Sequence, residues 1–150
     1  MDNPRWAAVD RYFEEHLIRE DAALRSALAR SDSAGLPPIG VAANLGKLLM
    51  MVASMVGATR ILEIGTLGGY STIWMARALP QHGRLITLEI EPRNAKVARA
   101  SVAAAGLAAI VDIRVGPALD TLPLLGPDGP FDMVFIDADK SNNAAISTGR

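Results

Sequence analysis

The sequence predicts an α/β protein built on a doubly wound parallel sheet, with helices before the first strand. After residue 60, four short runs of branched apolar residues alternate with segments of helical period. Continuous apolar strands of this kind are typical of parallel sheets that helices cover on both faces. Right-handed crossovers then give the strand order 3-2-1-4, with a ligand crevice at the carboxyl ends of strands one and four, where the winding reverses.

Composition limits the class of protein. The 150 residues carry 15 Lys and Arg against 16 Asp and Glu, with no basic block, so nucleic acid is not indicated as a partner. The absence of cysteine excludes disulfides, zinc-thiolate sites and thiol nucleophiles, and it favours a cytoplasmic location. The longest apolar run, residues 48–58, is too short for a membrane span of about 20 residues, so no membrane partner is expected.

Residues 1–40 are predicted to form N-terminal helices, and residues 41–150 are predicted to form the α/β domain. Pro4 is placed as in the first turn of a helix, and an apolar stripe at helical spacing follows it. The stripe consists of Trp6, Val9, Phe13 and Leu17. A second short helix ends in the Gly- and Pro-rich residues 31–38. We expect these helices to lie across the core or against a second subunit.

The remaining elements follow in order from residue 43. An apolar helix is predicted at residues 43–57, where Gly57 ends it before the first strand. The strands are predicted at residues 60–64, 85–90, 110–115 and 131–136. The helices between them are predicted at residues 69–79, 92–105 and 118–125.

The turn after the first strand, Glu63-Ile64-Gly65-Thr66-Leu67-Gly68-Gly69-Tyr70-Ser71, is a candidate nucleotide-type site. Glycines at a strand-to-helix turn allow positive φ angles and the close approach of a ligand. A dinucleotide fingerprint would need glycine in place of Leu67 and Tyr70. A phosphate loop would need a lysine, and none lies between Lys47 and Lys96. The turn therefore suits a ligand that presents no diphosphate.

Acidic residues follow the predicted strands at the crevice. Glu63 lies near the end of strand one, Glu89 ends strand two, and Asp137 and Asp139 follow strand four. An acid at the tip of strand two can accept both hydroxyls of a ribose, and Glu89 is the first candidate, with Glu91 as its alternative. Such an acid can instead serve only to cap the helix that follows. Both interpretations stay open.

The stretch Asp137-Ala138-Asp139-Lys140 also allows two interpretations. Carboxylates two residues apart after a buried strand can ligate a hard divalent cation. The alternative is a solvated turn in which the lysine pairs with a neighbouring carboxylate.

Several spaced motifs give the sequence a resemblance to a known family. They are the turn at residues 63–71, Glu89, Gly116-Pro117-Ala118 and Phe135-Ile136-Asp137-Ala138-Asp139-Lys140, with Val41-Ala42-Ala43 at the start of the apolar helix. Together they resemble the Rossmann-like, class I S-adenosylmethionine-dependent O-methyltransferases of the cation-dependent catechol and caffeoyl-coenzyme A type. The resemblance extends over residues 37–143.

The resemblance implies a role for each matching residue. Val41, Glu63, Gly65, Thr66 and Ser71, with Gly69 beside them in the turn, would surround the methionine part of S-adenosylmethionine. Glu89 would bind its ribose, Ala118 its adenine, and Asp139 would lie near the methionine end. Asp137 would ligate a divalent cation such as Mg²⁺, and Lys140 would act as a base or orient the substrate. The implied reaction transfers a methyl group to a hydroxyl of a small phenolic, catechol-like acceptor.

The sequence also departs from that family. Members of the family continue past strand four with a helix, a fifth strand and two further strands. Their fifth strand ends in an Asp-Asn pair that completes the metal site, and residues 141–150 of this chain contain no such pair. We therefore expect a truncated or fragmentary chain, or one that a partner completes, and a homodimer that covers the exposed edge of strand four. Two alternatives stay open: a catalytically incomplete cofactor-binding or dimerisation module of the same fold and, as a third interpretation, a nicotinamide-dependent oxidoreductase.

Overall fold

The computed structural model describes residues 4–138, and their strands form one parallel sheet. The strands are β1 (Arg60–Ile64), β2 (Arg84–Glu89), β3 (Val111–Val115) and β4 (Met133–Ile136). Their order is β3-β2-β1-β4, and each neighbouring pair is parallel. The predicted fold class and strand order are confirmed, so the carboxyl ends of β1, β2 and β4 meet at one edge of the sheet.

Six α-helices in the described range cover the sheet or precede it. They are α1 (Pro4–Leu17), α2 (Ala22–Ser33), α3 (Ala43–Met55), α4 (Tyr70–Ala76), α5 (Pro92–Ala104) and α6 (Ala118–Thr121). A short 3-10 helix, Leu122–Asp128, follows α6. None of the helices in residues 4–138 combines the length and the apolar character that crossing a bilayer requires.

Two helix predictions need correction. α4 ends at Ala76, earlier than predicted, because two turns follow it before Pro80, and a proline disfavours helical geometry in the residue that precedes it. The helix predicted from residue 118 is split after Thr121, where the 3-10 helix takes over. Pro123 lacks the amide hydrogen that a continuing α-helix would need. The other predicted elements are present, with small shifts at their ends.

Side chains of the two central strands alternate between two layers of helices. Leu62 and Ile86 belong to a cluster on the face covered by α6 and the 3-10 helix, where Leu125 packs against them. Ile61 and Leu85 belong to a cluster on the other face, formed with α3 and α4. All five side chains are at most 4% exposed. β1 and β2 are therefore buried on both faces, which explains their continuous apolar sequences.

The two N-terminal helices differ in burial. Leu24 and Ala27 of α2 are fully buried in a cluster with residues of α4 and α5. The apolar stripe of α1 remains 39–68% exposed. α2 therefore lies across the core as predicted, whereas the contact of α1 with a second subunit stays a prediction.

Polar contacts attach the loop between α1 and α2 to both ends of α4. Asp21, the N-cap of α2, forms an ion pair of 2.5 Å with Arg77, the C-cap of α4. Glu20 accepts a hydrogen bond from the hydroxyl of Tyr70, the first residue of α4. Two consecutive acids thus fix the N-terminal region against the helix that follows the glycine-rich turn.

Glu63 joins β1 to the start of α4. Its side chain is fully buried, with Oε1 accepting a hydrogen bond of 2.6 Å from Ser71 and Oε2 accepting one of 2.5 Å from Thr72. Removal from water raises the pKa of this carboxyl from 4.5 to about 7. Hydrogen bonds from Ser71, Thr72 and Thr87 oppose the rise, and the charge of Asp137 adds to it. The Glu63 carboxyl therefore changes its protonation state near neutral pH.

We expect Glu63→Gln to remove a pH dependence of stability. The folded protein binds the Glu63 proton more tightly than the unfolded chain does, so stability falls as the pH rises from 4.5 to about 7. A pKa difference of this size corresponds to at most about 3 kcal/mol. Glutamine keeps the shape of the side chain and can bond to the two hydroxyls as acceptor and donor. Urea unfolding at pH 5 and pH 8 should show the variant gaining stability relative to the wild type at the higher pH, by up to about 3 kcal/mol.

The matched control is Glu91→Gln, which changes an exposed acid just beyond β2. It should leave the pH dependence of unfolding unchanged. If the difference in stability between wild type and Glu63→Gln were the same at both pH values, the raised pKa of Glu63 would be wrong.

Candidate functional site

A cavity of about 540 Å³ opens at the carboxyl ends of β1, β2 and β4. Its walls include the turn after β1 (residues 64–68), the segment between α2 and α3 (36–41), and residues at the ends of β2 (88–90), β3 (116–119) and β4 (137–138). The volume lies in the usual range for small-molecule sites. The cavity occupies the predicted crevice, where the winding of the sheet reverses.

The charged side chains that line the cavity are all acidic. Asp32 comes from the last turn of α2, Glu89 from the end of β2, and Asp137 directly follows β4. No Lys, Arg or His within residues 4–138 lines the cavity. Carboxylates attract cations and hydroxyl donors and repel phosphate groups. This part of the protein is therefore better suited to a positively charged ligand than to a dinucleotide.

The structure brings together most of the residues that the sequence predicted for the site. Those that line the cavity are Val41, Gly65, Thr66, Ser71, Glu89, Ala118 and Asp137. Glu63 and Gly69 do not line it and instead shape the turn from behind. Asp139 and Lys140 lie outside the described residues. What each of these residues does toward a ligand stays a prediction.

Two glycines of the turn are required by close packing. Gly65 has a φ of +102°, and a Cβ there would lie 2.8 Å from the carbonyl oxygen of Asp137. Gly69 has a φ of +86° and precedes α4, where a Cβ would lie 3.3 Å from the Cα of Ala98 in α5. Gly65 thus lets the ends of β1 and β4 approach each other, and Gly69 lets α4 start directly against α5.

Thr66 and Ser71 line the cavity, and their hydroxyls are anchored behind it. The hydroxyl of Thr66 lies 2.5 Å from that of Thr87 on β2, and the hydroxyl of Ser71 donates to Glu63. Thr66 is 2% exposed and Ser71 is 8% exposed. Their positions are therefore fixed by the sheet rather than by a ligand.

Glu89 is held by hydrogen bonds from three groups at the tip of β2. Its Oε2 accepts from the backbone N–H of Leu67 at 2.7 Å. Its Oε1 accepts from the backbone N–H of Glu91 at 2.9 Å and from Nδ2 of Asn94 at 3.4 Å. The carboxylate thus lines the cavity and also satisfies an amide at the start of α5. The helix-capping contact is present, and the binding of a ribose by Glu89 stays a prediction. Glu91, the alternative candidate, is exposed and does not line the cavity.

Asp32, Leu67 and Tyr70 also line the cavity and were not among the predicted site residues. Asp32 reaches the cavity because α2 packs against the turn, where the Ser31 side chain fills the space beside Gly68. Leu67 adopts a φ of +49° and also lines the cavity. Tyr70 lines it too, and burial together with its hydrogen bond to Glu20 raises the pKa of its hydroxyl above the ordinary value. The glycine-rich motif itself was a signal for Leu67 and Tyr70, whereas Asp32 had no local signal.

The described residues do not assemble a metal site by themselves. No group of three His, Cys, Asp or Glu side chains within residues 4–138 is arranged to hold a metal ion. Asp137 lies at the cavity as the one predicted metal ligand in this range. Hard divalent cations take six or more oxygen ligands, so the residues on hand do not fit a complete cation site.

Comparison with known proteins identifies the family. The family model described as O-methyltransferase matches residues 14–146. A catechol O-methyltransferase of Mycobacterium tuberculosis is 55% identical over 91% of this chain and 62% of its own length. A catechol O-methyltransferase of Niastella koreensis is 52% identical over 93% of this chain and 64% of its own length. The chain thus spans less than two thirds of the length of these relatives.

Solved structures agree with this match. An O-methyltransferase from Bacillus cereus in complex with S-adenosylhomocysteine (SAH) superimposes with a TM-score of 0.93 and 44% identity, covering 97% of this chain and 67% of the other. The O-methyltransferase TomG from Streptomyces achromogenes, in complex with S-adenosylmethionine (SAM), gives a TM-score of 0.92 and 48% identity, covering 99% and 68%. The chain belongs to the O-methyltransferase family.

Proposed function

We propose that the chain binds S-adenosylmethionine and takes part in methyl transfer to a hydroxyl of a small phenolic, catechol-like acceptor. The observation that carries this proposal is the acid-lined cavity at the strand ends, with Glu89 buried at the tip of β2. S-adenosylmethionine carries a positively charged sulfur and no phosphate, so it matches the charge of these walls. The bound ligands of the two solved relatives support the donor, and the names of the two catechol O-methyltransferases support the acceptor class.

The predicted donor contacts divide between direct and indirect ones. Val41, Gly65, Thr66 and Ser71 would surround the methionine part, and Ala118 would contact the adenine. Glu89 would accept the ribose hydroxyls with the lone pairs that its protein partners leave free. Glu63 and Gly69 would act through the turn: Glu63 fixes the Ser71 hydroxyl, and Gly69 sets the start of α4. When bound, S-adenosylmethionine supplies an activated methyl group.

We expect Glu89→Ala to weaken the binding of S-adenosylmethionine at least tenfold, because hydrogen bonds to a charged group contribute about 1.5–3 kcal/mol each. Isothermal titration calorimetry of the two proteins measures the change directly. The matched control is Glu91→Ala, which removes an exposed acid outside the cavity and should leave the affinity as it is.

Circular dichroism of both variants establishes that the sheet is intact before the affinities are compared. Wild-type protein that does not bind S-adenosylmethionine, or a Glu89→Ala variant that binds it as well as wild type, would contradict the donor assignment. Binding of NAD in its place would favour the oxidoreductase alternative.

The acceptor side of the proposal concerns proton removal. A phenol with a pKa near 10 costs about 4 kcal/mol to ionise at pH 7, and a divalent cation, when bound, stabilises a phenolate oxygen. We propose Asp137 as one ligand of such a cation, Lys140 as the base or substrate-orienting group, and Asp139 as a neighbour of the methionine end. Residues 4–138 supply a single predicted ligand of this cation, Asp137 at the cavity.

We expect Asp137→Asn to abolish any Mg²⁺-dependent methylation of catechol, since the amide removes the charge that a cation requires. The assay follows methyl transfer from labelled S-adenosylmethionine with Mg²⁺ and with EDTA. Asp120→Asn, in an exposed acid of α6 outside the cavity, is the control and should keep the wild-type rate.

The same assay separates the proposed enzyme from its alternative. Residues 4–138 lack a complete cation site, and this observation favours the alternative of a module that binds the donor without transferring its methyl group. Wild-type protein that binds S-adenosylmethionine but methylates no catechol would support that module. Transfer that Asp137→Asn leaves unchanged would contradict the metal assignment.

We also propose a cytoplasmic homodimer. The location follows from the lack of cysteine. For the dimer, the outer face of α3 exposes Leu48 at 52% and Met55 at 82%. α1 lies beside it, joined by a hydrogen bond of 2.6 Å from Asn44 to Asp10, and adds its own exposed apolar stripe. Exposed apolar patches of this kind mark interaction sites, and a second copy presents the same surface.

We expect the double variant Leu48→Lys, Met55→Lys to be monomeric, because two charges would have to be buried at the interface. Light scattering after size-exclusion chromatography measures the mass. Leu124→Lys alters a side chain that is 71% exposed in the 3-10 helix and should leave the mass unchanged. A monomeric wild type would contradict the dimer.

A further inference from the structure

The turn after β1 contains a backbone conformation that its residue type disfavours. Leu67 has a φ of +49° and is the one non-glycine residue within residues 4–138 with a positive φ. A left-handed conformation brings the Cβ of an L-residue close to its own backbone, so branched side chains rarely adopt it. Such a conformation persists only where surrounding contacts hold it.

The contact that holds Leu67 comes from Glu89. The backbone N–H of Leu67 donates to Oε2 of Glu89 at 2.7 Å, a charge-assisted hydrogen bond of the stronger kind. The other carboxylate oxygen is fixed by the backbone N–H of Glu91 and by Asn94. Glu89 is only 6% exposed, so water does not readily replace it as the partner of Leu67.

The conformation of Leu67 matters for the cavity. Its side chain lines the cavity, and its Cδ2 would lie 3.8 Å from a Cβ placed on Gly40 in the facing segment between α2 and α3. A change of φ at Leu67 would redirect this side chain and move the glycines on either side of it. The shape of the cavity therefore depends on the Leu67 backbone.

We propose that Glu89 is a positioning residue for Leu67 as well as a ligand-binding residue: its carboxylate holds Leu67 left-handed and so keeps the cavity formed before any ligand arrives. This proposal rests on the proposed donor site only for the function of the cavity. The coupling between the two residues exists in the protein without ligand.

A double-mutant cycle in urea without ligand tests this coupling. Glu89→Gln leaves one oxygen where two were accepting, so one N–H loses its acceptor. Leu67 then leaves the left-handed conformation, and relief of its strain offsets part of the lost hydrogen bond; we expect the equilibrium constant for unfolding to rise threefold or less. Leu67→Gly removes the conformational strain at residue 67, because glycine adopts a positive φ without a steric penalty. In the Leu67→Gly background there is no strain to relieve, so the same Glu89→Gln change should show the full loss of the hydrogen bond, a rise of about tenfold in the constant.

Leu67→Ala is the matched control. Alanine keeps the Cβ that disfavours positive φ and loses only the rest of the side chain, so Glu89→Gln should again raise the constant threefold or less in this background. A larger effect of Glu89→Gln in the glycine background alone is a result that loss of packing would not produce. Equal effects of Glu89→Gln in the wild-type, Leu67→Gly and Leu67→Ala backgrounds would overturn the proposal.

Calorimetry with S-adenosylhomocysteine on the same six proteins keeps this test separate from that of the donor site. A coupling in urea together with no binding of S-adenosylhomocysteine to wild type would leave the positioning role standing and refute the proposed donor. Binding to wild type together with strictly additive unfolding would do the reverse.

Discussion

The glycine-rich turn depends on two buried glutamates that hold it from opposite sides. Glu63 on β1 accepts hydrogen bonds from the hydroxyls of Ser71 and Thr72 just past the turn. Glu89 on β2 accepts a hydrogen bond from the backbone N–H of Leu67 within the turn. Because β1 and β2 pair in parallel register, with Glu63 opposite Thr87, the sheet fixes the spacing between the two carboxylates. The turn is therefore positioned by the two most buried strands rather than by its own sequence alone.

This arrangement gives the cavity an acceptor that is oriented before a ligand binds. Each carboxylate oxygen has about two lone pairs, and Oε2 of Glu89 has one protein partner while Oε1 has two, the second at 3.4 Å. Acceptor capacity thus remains for ligand hydroxyls, yet the carboxylate cannot rotate freely. Binding groups held by other contacts lose little entropy when a ligand arrives, so the hydrogen bonds that give the turn its shape also favour affinity.

The sequence allowed the strands, their order and the acid at the tip of β2 to be predicted, because these follow from local period and from the handedness of crossovers. It did not reveal that Glu63 would be enclosed by hydroxyls behind the cavity, since that depends on α4 packing over β1. Nor did it reveal Asp32 or the left-handed Leu67, because both result from tertiary contacts: α2 against the turn, and Glu89 beneath it. Local patterns located the cavity, and packing determined which side chains reach it.

The donor and acceptor sides of the site have different physical support. Most of the residues predicted to bind the donor lie on or beside β1 and β2, whose apolar side chains are buried by helices on both faces. Asp137 follows β4, a strand that pairs with β1 alone within the described range and exposes 51% of Val134. The proposed donor site on the central strands is formed by contacts that residues 4–138 already contain. Asp137, the proposed cation ligand, follows a strand that is less enclosed within these residues, so the proposed donor site rests on a more buried part of the sheet than the proposed cation site.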